Sequence, residues 1–340
     1  MIQQQSQIEQ NNQQKHFNYQ ILLSLQQQYP IHTFTQAINN NNTLLVIGSN
    51  LVCKVIYLKK ELKYLQQNKK HSNSISTLNF FKRKSQFISG SYDSSIIIQS
   101  SNLLQNLKYL TKLKGHMRGI LCLVVDPNSE NLIISGATDN SIKFWSYSQY
   151  STWSCSQTIR EHTSFVFGLS INQDGTKLVS CGRDKQILLM ERFNGQLWYV
   201  KQKISELSSR ISFITKDIFV FQPSNGTHLQ FYTIEQSTGL YTKTKELKVQ
   251  GTAQGCYYYF PQIYIPSRQL LISKNGYFIN LIQFNFDSEN WNCKYVEGIE
   301  FDQCENFGNI FGTMSDNGEY LIILDCKSGN IEIRQYTYQK

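Results

Sequence analysis

Residues 114–145 read KGHMRGILCLVVDPNSENLIISGATDNSIKFW, and this stretch decides the fold. Two runs rich in β-branched and other apolar residues, 120–125 and 132–135, are separated by a polar segment that begins with Asp-Pro-Asn. This pattern indicates two strands joined by a turn. A second turn at 138–140 leads to a third strand at 142–145. A meander of three strands cannot bury both of its faces alone, so we expect similar units beside it.

The polar residues of this stretch recur in two further copies. The distance from His to Ser is 18, 19 and 18 residues, and the distance from Ser to Asp is 4 residues in each copy. Six residues after each Asp stand Gln99, Trp145 and Met190. The repeated residues are His71, Ser89 and Asp93; His116, Ser135, Asp139 and Trp145; and His162, Ser180 and Asp184.

This spacing resembles that of the WD40-repeat family, whose fold is a β-propeller. The resemblance implies that the His, Ser, Asp and Trp side chains of one repeat bond to one another and hold a blade together. The middle copy matches all four positions, although it ends in Phe-Trp where the family has Trp-Asp. The other two copies match three positions, because Gln99 and Met190 replace the Trp.

A Ser, His and Asp set could also indicate a hydrolytic triad. Three copies at nearly equal spacing favour a structural role instead, because buried polar groups need hydrogen-bond partners. The sequence contains no phosphate-binding loop, no nucleophile elbow and no His-rich metal motif. We therefore expect a protein that is not an enzyme and that binds neither a cofactor nor a metal.

Weaker copies of the unit extend over the rest of the chain. Apolar runs and turn signals define seven units, near residues 31–58, 71–100, 114–146, 160–191, 207–233, 250–284 and 306–336. In the sixth unit we assign the first strand to residues 254–260. The sequence thus predicts an all-β, seven-bladed WD40 β-propeller of four-stranded antiparallel blades, in a single domain over residues 16–340.

The two ends of the chain predict how the ring closes. The seventh unit has only three strands, while a spare apolar segment at 17–25 precedes the first unit. The resemblance implies that this N-terminal strand completes the last blade, which removes exposed strand edges. Nine of the first fourteen residues are Gln or Asn, so residues 1–15 are predicted to form a tail outside the propeller.

Composition limits the location of the protein. No apolar run approaches the roughly 20 residues of a membrane-spanning helix, and the N-terminus lacks the pattern of a secretion signal. Eight cysteines occur singly, without a CxxC pair, as is typical of reduced thiols in the cytosol. We expect a cytoplasmic protein without a membrane span. The alternative locations are the nucleus and the cytoskeleton or cilium.

The formal net charge of +9 is concentrated in residues 54–84, which contain nine Lys or Arg residues and a single acidic residue, Glu61. One interpretation is an electrostatic site for nucleic acid or for phosphorylated or acidic ligands. The other, which we favour, is a solvated outer strand and loop. Tyr64 is the one aromatic residue between Lys59 and Lys70, which gives little support to base stacking. The central basic residues are Lys59, Lys60, Lys63, Lys69 and Lys70.

The resemblance also implies where partners bind. In WD40 proteins, partner contacts concentrate early in the first strand of a blade and at the residue before the turn Asp. Among the positions that match, those that we predict to bind partners are Tyr92, Leu121, Thr138, Phe165, Phe167 and Arg183. Aromatic residues beside arginine are typical of interface hot spots. The alternative is that one or both phenylalanines pack between blades.

The sequence favours a non-catalytic scaffold or adaptor, a monomeric propeller that binds other proteins in a hetero-complex. One alternative is the propeller subunit of cytosolic iron–sulfur protein assembly, to which the segment WSCSQTIREH at 153–162 is similar. A second is a reader of nucleic acid or acidic ligands that uses residues 54–84. A third, a G-protein β-like subunit, is disfavoured because no heptad helix precedes the blades.

Overall fold

The computed structural model describes residues 17–26, 33–58, 63–102, 109–193, 197–224, 226–252, 260–287, 291–301, 310–325 and 330–338. Within these ranges the chain forms 28 strands and one short 3-10 helix at Pro266–Arg268. None of the helical structure in these ranges is long and apolar enough to cross a membrane. The N-terminal tail predicted at 1–15 lies outside the described residues.

The strands form seven antiparallel sheets of four strands each, which are the blades of a ring. Blade 1 contains β2 (Thr33–Ile38), β3 (Leu44–Ser49), β4 (Val52–Tyr57) and β5 (Lys63–Lys69). Blade 2 contains β6 (Ile75–Phe80), β7 (Gln86–Ser91), β8 (Ser95–Ser100) and β9 (Tyr109–Lys114). Blade 3 contains β10 (Ile120–Val125), β11 (Leu132–Ala137), β12 (Ile142–Tyr147) and β13 (Trp153–Ile159). The predicted seven-bladed all-β propeller is confirmed.

The remaining blades follow the same order, with the innermost strand first. Blade 4 contains β14 (Val166–Ile171), β15 (Lys177–Gly182), β16 (Ile187–Phe193) and β17 (Leu197–Ile204). Blade 5 contains β18 (Ser208–Phe213), β19 (Ile218–Pro223), β20 (His228–Ile234) and β21 (Tyr241–Lys248). Blade 6 contains β22 (Ile263–Ile265), β23 (Leu270–Asn275), β24 (Phe278–Asn285) and β25 (Asn292–Glu300). Blade 7 contains β26 (Ile310–Met314), β27 (Tyr320–Asp325), β28 (Asn330–Tyr338) and β1 (Phe17–Gln26).

The core lies between the blades. In β11, Ile133 packs with blade 2, whereas its neighbour Ile134 packs with blade 4. Successive side chains of a strand point to opposite faces of the sheet, so a blade between two others buries both faces. This explains why the middle strands are nearly continuous apolar runs, and each large side chain buried in this way contributes about 1.5–3 kcal/mol.

Glutamine side chains connect neighbouring blades at the outer strands. The Gln157 side chain in β13 accepts a hydrogen bond from the backbone N–H of Trp198 at 2.9 Å and donates to the carbonyl of the same residue at 2.5 Å. Gln202 in β17 makes the same pair of bonds with the backbone of Tyr241, both at 2.8 Å. Each amide therefore occupies one backbone donor and one backbone acceptor of the next outer strand.

The ring closes through the N-terminal strand. β1 pairs antiparallel with β28, from Phe17 opposite Tyr338 to Gln26 opposite Asn330. Tyr19 is buried, and its hydroxyl donates a hydrogen bond to the carbonyl of Gly318 at 2.7 Å. The closure predicted from residues 17–25 is present in the structure, with one more residue in the strand.

The first strand of blade 6 is not where the sequence indicated. We assigned it to 254–260, but β22 is Ile263–Ile265, and Phe260 lies outside any strand. The remaining residues of that assignment, 254–259, lie outside the described residues. Pro261 has no N–H for a strand ladder and Pro266 begins the 3-10 helix, so the strand between them is short. Phe260 instead packs, fully buried, against blade 7.

Ring closure predicts the effect of two truncations. Deleting residues 1–26 removes β1 and the buried Tyr19, and leaves β28 as an open edge. We expect the melting temperature to fall by roughly 10 °C or more, because a loss of several kcal/mol corresponds to such a shift in a chain of this size. Deleting residues 1–15 retains β1 and serves as the control. Equal melting temperatures for the full chain and the 1–26 deletion, by differential scanning calorimetry, would contradict the closure.

Candidate functional site

The repeated polar residues meet in blade 3. His116 donates from Nδ1 to Asp139 Oδ2 at 2.9 Å, and its Nε2 accepts from the hydroxyl of Ser135 at 2.7 Å. The indole Nε1 of Trp145 donates to Ser135 Oγ at 2.9 Å. The side chains thus join the loop before β10, strand β11, the following turn and strand β12. A Cβ on Gly115 would lie 2.9 Å from the Trp145 ring, so the residue before His116 has to be small.

Blade 2 uses a different residue to complete the same network. His71 contacts Asp93 Oδ2 at 2.9 Å and Ser89 Oγ at 2.8 Å. Gln99, at the position of the Trp, donates to Ser89 Oγ at 3.5 Å and accepts from Asn68 Nδ2 at 2.6 Å. The Asn68 contact was not predicted, because Asn68 lies on the outer strand of the preceding blade.

Blade 4 has the smallest of the three networks. His162 contacts Asp184 Oδ2 at 2.9 Å and Ser180 Oγ at 2.8 Å. Met190 occupies the Trp position, and its buried side chain packs in the apolar cluster between blades 3 and 4. Ser180 therefore accepts no hydrogen bond from an indole N–H.

The networks fix the charges of their members. Burial would raise the pKa of the Asp93 carboxyl, but hydrogen bonds from His71, Ser95 and the Ser72 backbone outweigh it and hold the pKa well below its usual range. The same balance, with hydrogen bonds from His116 and Ser141, lowers the pKa of Asp139. Ser95 and Ser141, each two residues after the Asp, were not predicted as members of the networks.

Burial has the opposite effect on an imidazole. It lowers the pKa of His162, because burial disfavours the charged ring, although Asp184 opposes this shift. His162 is therefore neutral near pH 7. A neutral ring has one N–H for the carboxylate and one free nitrogen to accept the serine hydroxyl, as in the observed geometry.

The side chains of the networks are too deeply buried to contact a substrate. The three imidazole side chains are at most 1% exposed, and the carboxylates they contact are 3–5% exposed. A hydrolytic nucleophile and its base must reach a substrate, which these side chains cannot do. The described part of the chain also holds no cluster of three His, Cys, Asp or Glu residues that could bind a metal.

The networks support a surface that we call the loop face of blades 2–4. It consists of the loops before the first strands and the turns that contain the Asp. In each blade the N–H of the residue before the Asp donates to a carbonyl of the loop. These bonds join Tyr92 to Ser74 at 2.9 Å, Thr138 to Gly119 at 2.8 Å and Arg183 to Phe165 at 2.8 Å. The loop face comprises residues 70–74, 92–94, 115–119, 138–141, 160–165 and 183–186.

Four of the six predicted partner-binding residues lie on the loop face. Tyr92, Thr138 and Phe165 are half-buried, and Arg183 is exposed. The guanidinium of Arg183 lies over the Phe165 ring, 5.5 Å from its centre. This distance fits a cation–π contact, which holds both side chains at the surface.

The other two predicted residues lie inside the ring. Leu121 and Phe167 line a central cavity of about 430 Å³. Leu121 is only 4% exposed, and Phe167 also packs against the apolar cluster between blades 4 and 5. Both are on innermost strands, β10 and β14. The alternative that one phenylalanine packs between blades therefore describes Phe167.

The described lysines of the basic stretch do not lie together. Lys63 and Lys69 begin and end the exposed strand β5, which places them roughly 20 Å apart. Lys70 follows on the loop face, whereas Lys84 lies on the opposite side of the ring and donates to the carbonyl of Glu130 at 2.9 Å. Lys59 and Lys60 lie outside the described residues.

Matched serine substitutions test the networks. Ser135→Ala removes the partner of both His116 Nε2 and Trp145 Nε1, whereas Ser180→Ala removes only the partner of His162 Nε2. At about 1–3 kcal/mol for each buried polar group left without a partner, we expect Ser135→Ala to cost about 2–5 kcal/mol and Ser180→Ala about half of that. Urea unfolding measures both free energies. Equal losses would show that Trp145 contributes nothing through its N–H.

Comparison with protein families shows where the repeats match a known pattern. The family model of the WD domain, G-beta repeat, matches residues 62–98, 107–146 and 153–189. These segments contain the His, Ser and Asp residues of all three networks, and Gln99 directly follows the first segment. The degenerate units of blades 5–7 fall outside the matched residues.

The chain is also similar to curated proteins over part of its length. It is 34% identical to DDB1- and CUL4-associated factor 13 of Xenopus tropicalis over 79 residues, which are 23% of this chain and 17% of that protein. Its identity to the Dictyostelium discoideum protein of that name is 28% over 138 residues, 39% of this chain and 30% of the relative. Pre-mRNA-processing factor 19 of Mus musculus is 32% identical over 98 residues, 29% of this chain and 18% of the relative. The matched segments thus span less than a third of each of these relatives.

Structural similarity extends over almost the whole chain. A chain in the crystal structure of the mitotic checkpoint complex superimposes with a TM-score of 0.72, covering 94% of this chain and 95% of that chain. At 13% sequence identity this similarity concerns the fold alone. Because the matched repeats contain the polar networks and the blades close into a ring of seven, we conclude that the chain is a WD40-repeat protein.

Proposed function

We propose that this protein is a non-catalytic scaffold that binds protein partners on the loop face of blades 2–4. The observation that carries the proposal is the pairing of Arg183 with Phe165 at the surface, on loops that the buried networks hold in place. Arginine and aromatic residues are the side chains most often found as interface hot spots.

A rigid surface supports this function. The loops before β6, β10 and β14 are each tied to their turn by an imidazole–carboxylate contact and by a backbone hydrogen bond. Side chains that are already ordered lose little conformational entropy on binding, so more of the contact energy appears as affinity. The loop face is therefore suited to holding a partner in a fixed orientation.

The relatives support a role in protein complexes. One carries the name DDB1- and CUL4-associated factor, and the other that of a pre-mRNA-processing factor. The matches lie in the repeats and cover a small part of each relative. They favour an adaptor role for this chain, and DDB1 and CUL4 are the first proteins to test as partners.

The propeller subunit of iron–sulfur protein assembly and the reader of nucleic acid or acidic ligands have less support as alternatives. The segment 153–162 forms β13 and the loop to His162, which is a position that every blade of this fold fills. The lysines of residues 54–84 that the structure describes are divided between an outer strand and two opposite sides of the ring. The first similarity therefore does not single out the propeller subunit of iron–sulfur protein assembly, and the described lysines are not gathered into one polyanion site.

We also propose that the protein works in the cytoplasm. The cysteines in the described part of the chain are Cys53, Cys122, Cys155, Cys181 and Cys293, and all are free thiols. Burial raises the pKa of the Cys53 and Cys181 thiols to about 12, which keeps these side chains unreactive. Reduced, packed cysteines suit a reducing compartment.

Removal of the surface pair tests the scaffold function. We expect Phe165→Ala combined with Arg183→Ala to reduce recovery of the partner at least about 10-fold, because a hot-spot pair contributes about 2 kcal/mol or more. Recovery is measured by affinity purification of the tagged protein from its own cells, with quantitative mass spectrometry of DDB1, CUL4 and the other co-purified proteins. Lys216→Ala, an exposed change on the opposite side of the ring, is the control. Unchanged recovery, with an unchanged melting temperature, would move the binding site elsewhere.

A further inference from the structure

The loop face of blades 2–4 is strongly basic. Its exposed cations come from loops that are distant in the sequence, so they do not form a run of charge. Arg118 belongs to the loop of blade 3, Arg160 to the loop of blade 4 and Lys185 to the turn of blade 4. With the residues at the edges of the same loops, the exposed cations are Lys70, Lys114, Arg118, Arg160, Arg183 and Lys185.

The acidic residues of this surface do not neutralise these cations. Asp93, Asp139 and Asp184 are 3–5% exposed and are engaged by imidazole rings beneath the loops. Glu161 is exposed, but its carboxylate lies 2.8 Å from the ammonium of Lys203. Among the described residues of the loop face, the accessible charge is therefore almost entirely positive.

Contacts between neighbouring blades make the basic surface continuous. The Tyr92 ring of blade 2 packs on Gly119 of blade 3 so closely that a Cβ at residue 119 would lie 2.6 Å from it. The side chain of Asn140 in blade 3 donates to the carbonyl of Thr163 in blade 4 at 3.1 Å. The three loops and their turns thus form one arc rather than three separate patches.

An apolar side chain projects from the middle of this arc. Met117 is 80% exposed, and its backbone N–H donates to Asp139 Oδ2 at 2.8 Å. The bond fixes the backbone, while the thioether stands in solvent next to Arg118. An exposed apolar group among cations fits a ligand that carries both negative charge and apolar side chains.

We propose that the loop face of blades 2–4 binds an acidic segment of a partner protein, rich in Asp or Glu and containing an apolar residue. The segment's carboxylates contact Arg118, Arg160 and Lys185, and its apolar residue contacts Met117. This inference rests on the proposed scaffold function and names the chemistry of the partner.

Nucleic acid fits the same surface less well. Binding of single strands depends on flat aromatic rings on which bases stack. The two rings placed on the loop face, Tyr92 and Phe165, are half-buried, and one packs on Gly119 while the other is covered by Arg183. The surface offers cations and a flexible thioether, which favours a peptide.

Charge reversal on the whole chain tests this proposal. The probe is a fluorescein-labelled peptide of ten glutamates with one central leucine, and a glutamine version is the neutral control. We expect the acidic peptide to bind the wild-type protein in fluorescence anisotropy, with an affinity that falls as salt is raised. Changing Arg118→Glu, Arg160→Glu and Lys185→Glu together should weaken binding at least about 10-fold, because like charges are then placed against the ligand.

A second triple variant controls for net charge. Lys63→Glu, Lys216→Glu and Lys294→Glu alter the net charge equally at exposed positions on other surfaces, and should leave peptide affinity unchanged. Equal peptide affinity for both triple variants, or no binding by the wild-type protein, would overturn the proposal. An RNA oligonucleotide of equal charge that binds more tightly than the peptide, and loses affinity in the first triple variant, would assign the surface to nucleic acid instead.

Partner recovery separates this proposal from the scaffold function. The Phe165→Ala and Arg183→Ala variant could lose a partner that the Arg118, Arg160 and Lys185 triple variant retains. That result would support the scaffold function and exclude binding of an acidic segment. Loss in both variants, with melting temperatures unchanged, supports both. A third outcome is unchanged partner recovery with Phe165→Ala and Arg183→Ala, together with acidic-peptide binding that the triple variant weakens. In that case the basic surface binds acidic segments and the partner site lies elsewhere.

Discussion

A buried imidazole needs a partner for each of its two nitrogens, and the loop face depends on this requirement. In the interior of a blade an unpaired polar group costs about 1–3 kcal/mol. His116 satisfies both nitrogens only when its loop, strand β11 and the turn at Asp139 are in one arrangement. The interior of the blade therefore determines the positions of the surface loops above it, and the same holds in blades 2 and 4.

Blades 5–7 show that the fold can form without these networks. In blade 6, the fully buried Asn280 accepts from the N–H of Gln250 at 2.9 Å and donates to its carbonyl at 3.0 Å. In blade 5, Gln222 donates to the carbonyl of Gly226 at 2.8 Å. In the described residues of blades 5 and 6, amide side chains thus make buried hydrogen bonds to the backbone where blades 2–4 have the His, Ser and Asp sets.

The sequence predicts the fold well because the repeat is periodic. Equal spacing of His, Ser and Asp locates blades 2–4, and the unpaired strand at the N-terminus locates the closure. The short strand β22 was missed for two reasons. The apolar run before Pro261 resembles a strand, and the prolines on either side of β22 argue against a strand between them. Gln99 could be aligned with the Trp position, but its contact with Asn68 depends on the neighbouring blade.

The functional surface is harder to predict from the sequence than the fold is. A run of lysines at 54–84 is conspicuous in the sequence, yet strand geometry separates its members. The basic arc arises from single residues such as Arg118, Arg160 and Lys185, which only the ring brings together. Leu121 and Phe167 matched the positions of partner contacts, but the direction of a side chain near a strand start depends on one residue of register.

Cross-linking of the purified native complex tests the central claim, which is that partners bind the loop face of blades 2–4. Lysine-reactive cross-linkers report proximity on each side of the ring. Lys70 and Lys185 lie on the loop face and Lys114 lies directly beside it, whereas Lys82 and Lys216 lie on the opposite side. We predict that cross-links to the partner concentrate on the first three lysines. Cross-links that instead concentrate on Lys82 and Lys216 would contradict it.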